Sequence, residues 1–238
     1  MKNEKNNVEV SFVLGILNAE RTLVECLNGI FMQDYPKNKY EVIVVDGGST
    51  DKTLEILGGF LKLYKNLRLL HNPNKLSEGK GMSKDIGIKN SKGRIVVLLD
   101  HDNILIDINW LKNILYPFKN KSVMASQSLL KFKAEDNNFL KYVNAAGVED
   151  PFAIPYSLVA QVQINPNKFN LIENKYYIYE LTNEKVLFGG ANGCAFIKKV
   201  FDDIGGYTRD VDVFAEMAGK ISEKLASQPA RVVGEVKQ

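Results

Sequence analysis

Two short runs with almost no polar residue, YEVIVV at 40–45 and GRIVVLL at 93–99, each end abruptly at an aspartate. A strand without polar alternation is covered on both faces, so these segments belong inside a parallel sheet flanked by helices. The segments around them complete that pattern. Residues 8–14 (VEVSFVL) predict a β-branched, aromatic strand, and residues 19–32 predict a helix with Leu23, Cys26, Leu27, Ile30 and Phe31 in helical spacing. A second helix is expected over 53–64, a short strand over 66–70 and a third helix over 79–90. Four strands alternating with helices predict an α/β fold, a Rossmann-like α/β/α sandwich with a mostly parallel central sheet.

Past residue 105 the alternation weakens. The pattern predicts a helix over 109–118, an extended segment over 122–132 and a helix over 134–146, after which Pro151, Pro155 and Pro166 interrupt the chain. Segments 185–188 and 192–198 flank the turn-rich Gly189-Gly190-Ala191. A last helix is expected over 213–226, stopped by Pro229 before a strand over 231–236. At 238 residues the chain suits one large α/β domain, residues 1–238. Hydrophobic residues at 45% and charged residues at 25% exclude a disordered or collagen-like chain.

A net charge of only +3, with lysines scattered along the sequence, gives no support for a nucleic-acid partner. The mildly basic surface suits an anionic lipid or a phosphorylated substrate, and so peripheral membrane contact. Cys26 and Cys194 have neither a metal-ligand spacing nor a disulfide framework and read as buried thiols. MKNEKNNVEV lacks the zones of a signal peptide, and no apolar run reaches the roughly 18–20 residues of a spanning helix. The expectation is a cytoplasmic protein without disulfides.

In parallel sheets ligands bind outside the carboxyl ends of the strands. Asp46 follows the second predicted strand and Asp100-His101-Asp102 the fourth, so the fold brings them towards one cleft. On a terminating strand residues i and i+2 share a side, which would let Asp100 and Asp102 act on one ligand. The plainer reading is a pair of solvated loop acids. Asp46 can equally serve as a turn acid before the helix at Thr53, and Ser49 and Asp51 read as caps. His101 reads as a neighbour of the strand end and not as a ligand. Gly189 to Gly193 is either a floor on which ligand rests or a tight turn between strands.

Taken in order, SFVLGILNAERTLVECLNGIFMQDYP, EVIVVDGGSTDKT, GKGMSKDIGIKNSKGRIVVLLDHDN and GGANGCAFIKKVFDDIGGY resemble the successive signatures of the inverting family 2 glycosyltransferases. The resemblance implies a GT-A fold, with a nucleotide-binding half over 8–102 and an acceptor half over 103–238. It implies transfer of a hexosyl or N-acetylhexosaminyl group from a nucleoside diphosphate sugar, UDP-linked by expectation, to a hydroxyl on a glycan, lipid-linked or other acceptor. Carried onto matching positions, Asp46 receives the base, and Gly15, Leu17 and Asn18 contribute to the same pocket. Asp100 meets the ribose, and Asp102, with Asp100, holds Mn2+ or Mg2+ against the diphosphate. Lys84 supplies a point charge towards phosphate, and Asn192 a hydrogen bond beneath the transferred sugar.

Three departures bear on that assignment. Gly15-Ile16-Leu17-Asn18 stands where the family often has Pro-Thr-Tyr-Asn, Asp46-Gly47-Gly48 where it often has two acids, and Lys84-Asp85 where an Arg-Asn pair is frequent. The identity of the base stays open. Inversion also needs a general base, which the family places in a Glu-Asp pair on a late helix. No such pair exists here. Asp212 is favoured at the expected helix start, Glu216 by its distance from Tyr207, and Asp210 by its surroundings. The broken pair keeps a second reading open, a non-catalytic nucleotide-sugar-binding module that has lost its base. A nucleotidyltransferase would want a glycine- and arginine-rich phosphate loop, which residues 15–21 do not resemble. No Gln-x-x-Arg-Trp element follows the last helix, which argues against a processive polysaccharide synthase.

Overall fold

A computed structural model describes residues 8–74, 82–128, 170–172, 176–180, 193–207 and 231–235. Its first half alternates β1 (Val10–Ile16), α1 (Leu23–Phe31), β2 (Tyr40–Asp46), α2 (Thr53–Leu63), β3 (Leu67–His71), α3 (Met82–Lys89) and β4 (Ile95–Leu98). Then follow α4 (Trp110–Leu115), a 3-10 turn (Tyr116–Lys119), β5 (Val123–Gln127), β6 (Asn170–Ile172), β7 (Tyr176–Glu180), β8 (Cys194–Ile197), α5 (Lys199–Asp203) and β9 (Arg231–Glu235). The nine strands among the described residues join one sheet in the order β3-β2-β1-β4-β8-β5-β9-β7-β6.

β1 to β4 pair in parallel, as expected. β8 runs against both β4 and β5, β9 runs with β5, β7 against β9 and β6 against β7. Counted along that order, seven of the nine strands share the direction of β1, and only β8 and β7 are reversed. The sheet is therefore mostly parallel, and it passes without a break from the first half of the sequence into the second.

Every residue of β1 and β2 is buried, which is why their sequences lack alternation. One face carries the main core. There Val10, Phe12, Leu14 and Ile16 of β1 cluster with Leu23, Leu27 and Ile30 of α1, Leu57 of α2 and Trp110, Leu111 and Ile114 of α4. Phe12 lies between Tyr40 and Trp110, with ring centroids 5.9 and 6.3 Å away. α3 covers the opposite face, and its approach depends on Gly87, where a Cβ would stand 2.4 Å from Val13 Cγ1. Helices on both faces make an α/β/α sandwich.

The edge away from the strand ends at Asp46 and Leu98 is closed by a buried acid. Glu41 accepts from the Ser11 hydroxyl at 2.7 Å, Arg68 at 2.8 Å and the Lys92 amide at 2.6 Å. Ser11 Oγ accepts from the Gly93 amide at 2.9 Å in turn.

The differences from expectation have local causes. α1 starts at Leu23 because residues 20–22 form a turn, closed by Thr22 N–H to Ala19 O at 3.1 Å. The helix expected over 109–118 tightens after Leu115 into the 3-10 turn, where Pro117 lacks the N–H an α-helix needs. The β6–β7 hairpin was not expected at all. The helices expected over 134–146 and 213–226 lie outside the described residues, as do segment 185–188 and the turn Gly189-Gly190-Ala191. No helix among the described residues is long and apolar enough to cross a membrane.

Candidate functional site

Because β1, β2, β3 and β4 are parallel, the chain leaves all four at one edge, and the loops there converge. The exits of β1 and β2 are fastened together by side chains bonded to backbone. Asn18, with φ of 51°, accepts the Thr50 amide at 2.8 Å on Oδ1 and donates its own amide to Ser49 Oγ at 2.9 Å. Ala19 N–H donates to Thr53 Oγ1 at 2.7 Å, Glu20 N–H to Asp51 at 3.1 Å and Lys52 N–H to Glu20 at 3.0 Å. Asp51 also accepts the Thr53 amide at 3.0 Å. Burial opposes ionisation of Asp51, but the bonds from Thr53 and Glu20 outweigh it and hold the carboxyl below its usual value. Gly15 is buried in β1, Leu17 is half-buried and Asn18 is exposed, and they flank the exit of β1, where Ile16 O accepts the Gly47 amide at 2.8 Å.

Asp46 is only 1% exposed. Its carboxylate turns back onto its own loop, accepting the Gly48 amide at 3.0 Å, the Ser49 amide at 3.1 Å and the Ser49 hydroxyl at 2.5 Å. His71, its neighbour at the end of β3, brings Nδ1 to 3.8 Å from Oδ2. Asn72 then donates its amide to Asp46 O at 2.8 Å and its side chain to Ser83 Oγ at 3.2 Å, linking the exit of β3 to α3. Ser49, expected as a helix cap, is a partner of Asp46 instead.

Asp100 and Asp102 do not share one side of a strand as expected, because β4 ends at Leu98 and the two acids stand in a turn closed by Asn103 N–H to Asp100 O at 3.1 Å. The turn is braced from three directions. Lys84, buried at the start of α3, forms an ion pair with Asp100. His101 Nδ1 lies 2.7 Å from Thr22 Oγ1, and Cys26 Sγ donates to Asp100 O at 3.6 Å. His101 thus reaches towards α1, in keeping with a neighbour's role. Asp102 is exposed at the tip, where it accepts from the Asn103 side chain at 2.9 Å. Lys84 can reach Asp100 because Gly15 leaves room: a Cβ there would stand 2.9 Å from Ser83 Cβ.

Asp85 and Tyr207 join this group without having been assigned a role from sequence. The Asp85 carboxylate accepts the Tyr207 amide at 3.0 Å, and both residues are buried. Burial, then the charge of Asp100 and that of Cys194, push the Tyr207 hydroxyl well above the usual tyrosine range, so it stays protonated. The position of Asp85 beside Lys84 was the one signal available in sequence.

Asn192, Asp210, Asp212 and Glu216 lie outside the described residues. Gly193 is described: just before β8, with φ of 65°, it donates to Leu98 O at 3.0 Å and accepts the Ser128 amide at 3.0 Å, and so bonds to the ends of β4 and β5. Among the described residues no group of three or more His, Cys, Asp or Glu could hold a metal ion. The acids at hand are the exposed Asp102 and the Lys84-paired Asp100. That donor set fits a cation that takes one or two carboxylates from protein and completes its shell with substrate phosphate and water.

Residues 11–205 match the sequence profile described as glycosyl transferase family 2. Glycosyltransferase AglE of Haloferax volcanii is 40% identical over 93 residues, 39% of this chain and 30% of that protein. The crystal structure of S. aureus TarS 1-349 in complex with UDP-GlcNAc superposes with a TM-score of 0.65 at 18% identity, over 97% of this chain and 59% of that one. The mannosyltransferase PcManGT from Pyrobaculum calidifontis, in complex with GDP-Man and Mn2+, superposes at 0.61 and 18% identity, over 94% of this chain and 56% of that one. The chain thus spans less than a third of AglE and less than two thirds of either solved structure. At that identity the two structures establish the fold, which is GT-A. With the family profile matched from the first strand of the sheet to the turn before Tyr207, the chain belongs to glycosyl transferase family 2.

Proposed function

We propose that the protein transfers a hexosyl or N-acetylhexosaminyl group from a nucleoside diphosphate sugar, UDP-linked, to an acceptor hydroxyl with inversion at the anomeric carbon. The observation that carries this reading is the braced turn at the end of β4. Lys84, Thr22 and Cys26 hold its frame while the Asp102 carboxylate faces solvent at the strand-end edge. Support comes from family membership and from two structures of the same fold, one in complex with UDP-GlcNAc and the other with GDP-Man and Mn2+.

In this reading the fastened loops after β1 and β2 form the wall for the base and ribose, with Gly15, Leu17 and Asn18 on one side and the Asp46 turn on the other. Asp46 acts by fixing the shape of Gly47 and Gly48. Lys84 orients Asp100 towards the ribose through their ion pair, and its charge lies within the same crevice as the phosphates. Asp102, with Asp100, would hold Mn2+ or Mg2+. The bound cation would offset charge on the diphosphate as the sugar–phosphate bond breaks. One of Asp212, Glu216 and Asp210 takes the proton of the acceptor hydroxyl.

Calorimetry with UDP, with Mn2+ and with chelator, tests the donor side. The wild-type chain is expected to need the metal for full affinity, and Asp102→Asn to lose that dependence. Equal affinity with metal and with chelator would remove the metal role from Asp102. A panel of nucleotide sugars then tests transfer, and donor binding without transfer or hydrolysis would make the chain a binding module.

A further inference from the structure

Lys84 and Asp85 are consecutive on α3 yet hold different parts of the site. Lys84 pairs with Asp100 in the turn after β4. Asp85 accepts the Tyr207 amide at 3.0 Å on Oδ1 and the Lys89 ammonium at 2.7 Å on Oδ2. The chain reaches Tyr207 through Gly205 and Gly206, with φ of 84° and 104°, a path open to glycine and strained for any other residue. A Cβ on Gly206 would stand 2.8 Å from Asp85 Oδ1, so the turn closes directly over the carboxylate. The bond is to main chain, and it therefore fixes the course of the backbone and not just one side chain. α3 is itself pressed against β1 at Gly87 and Val13, which gives both contacts a fixed base.

We propose that Asp85 is a positioning residue for the transfer step. It fixes the chain at Tyr207 relative to the Lys84–Asp100 pair, so that the rate of transfer depends on it while donor affinity does not. The inference rests on the glycosyl-transfer reading above. The acids in line to take the acceptor's proton begin three residues after Tyr207, at Asp210. A shift of about 1 Å in reacting groups can cost on the order of 10²-fold in rate. Donor affinity is insulated because Lys84 keeps its own bond to Asp100 whether or not Asp85 is present.

Steady-state kinetics with a nucleotide sugar, together with UDP calorimetry, tests this. Asp85→Ala should lower kcat at least tenfold while donor KM and UDP affinity stay within threefold of wild type. Asp85→Asn, whose amide oxygen can still accept from Tyr207, should keep kcat within threefold. Lys89→Ala, which removes only the exposed ion-pair partner, should do the same. Gly206→Ala attacks the same bond from the other side and should reproduce the kcat loss, giving a second route if Asp85→Ala does not fold. Wild-type kcat in Asp85→Ala or Gly206→Ala overturns the proposal, as does an equal kcat loss in Asp85→Asn. A wild-type chain that transfers no sugar sinks the functional reading along with it, whereas an active wild type matched by Asp85→Ala sinks this inference alone.

Discussion

Asp46 shows how a residue can sit in the predicted place and hold contacts that its sequence pattern does not reveal. Its position at the end of YEVIVV was legible because an apolar strand that stops at an acid leaves that acid at the sheet edge. What sequence did not show is that both carboxylate oxygens are engaged by Gly48 and Ser49, since local side-chain-to-backbone bonds compete with capping at such turns. Asp46→Ala should therefore weaken UDP binding by about 1–3 kcal/mol, the range for losing a bond to a charged group, and should also lower the melting temperature. Calorimetry on the folded variant checks it, and unchanged affinity would reduce Asp46 to a turn residue. Asp85 was not legible because its partner lies 122 residues away, and nothing in the local pattern announces a contact to a backbone amide.

Elements with one long period were legible and mixed ones were not. α1 buries Leu23, Cys26, Leu27, Ile30 and Phe31, the residues its spacing picks out. The hairpin of β6 and β7 is too short for its three and five residues to display a period. The acid turn was misread because apolar Leu99 extends the run visually, although strand pairing stops at Leu98. At the start of α2, Asp51 joins two loops through backbone amides and has a lowered pKa. A carboxyl whose folded pKa is depressed stabilises fully above its unfolded value, about 3.9, and loses that contribution as pH falls through the folded value. Thermal melts at neutral pH should place wild type above Asp51→Ala, and the gap should narrow below about pH 4. A gap that stays constant to strongly acidic pH would mean that the charge on Asp51 plays no part.

Across the whole molecule one sheet carries the parallel strands of the first half into the mixed strands of the second, so the two halves of the sequence share a frame. Four ordered signatures made that family legible, while the general base could not be fixed because the expected Glu-Asp pair is broken. Asp212→Asn is expected to cut transfer by about 10²- to 10⁴-fold with donor affinity retained, and Glu216→Gln is the comparison. Turnover and UDP calorimetry on both decide it: loss in Glu216→Gln alone would make distance from Tyr207 the better guide, and full activity in both would move the base elsewhere. The two ends of the sheet also differ in how they are held. At one, Glu41 and Ser11 gather β1, β2, β3 and the turn before β4 into a single buried knot. The amides of Lys92 and Gly93, though they belong to a turn, are therefore expected to exchange deuterium only when the sheet itself comes apart, and those of the exposed Asp102 turn to exchange early. Opening of the sheet should then begin at the edge that carries Asp46 and Asp102 and reach the Glu41 knot last.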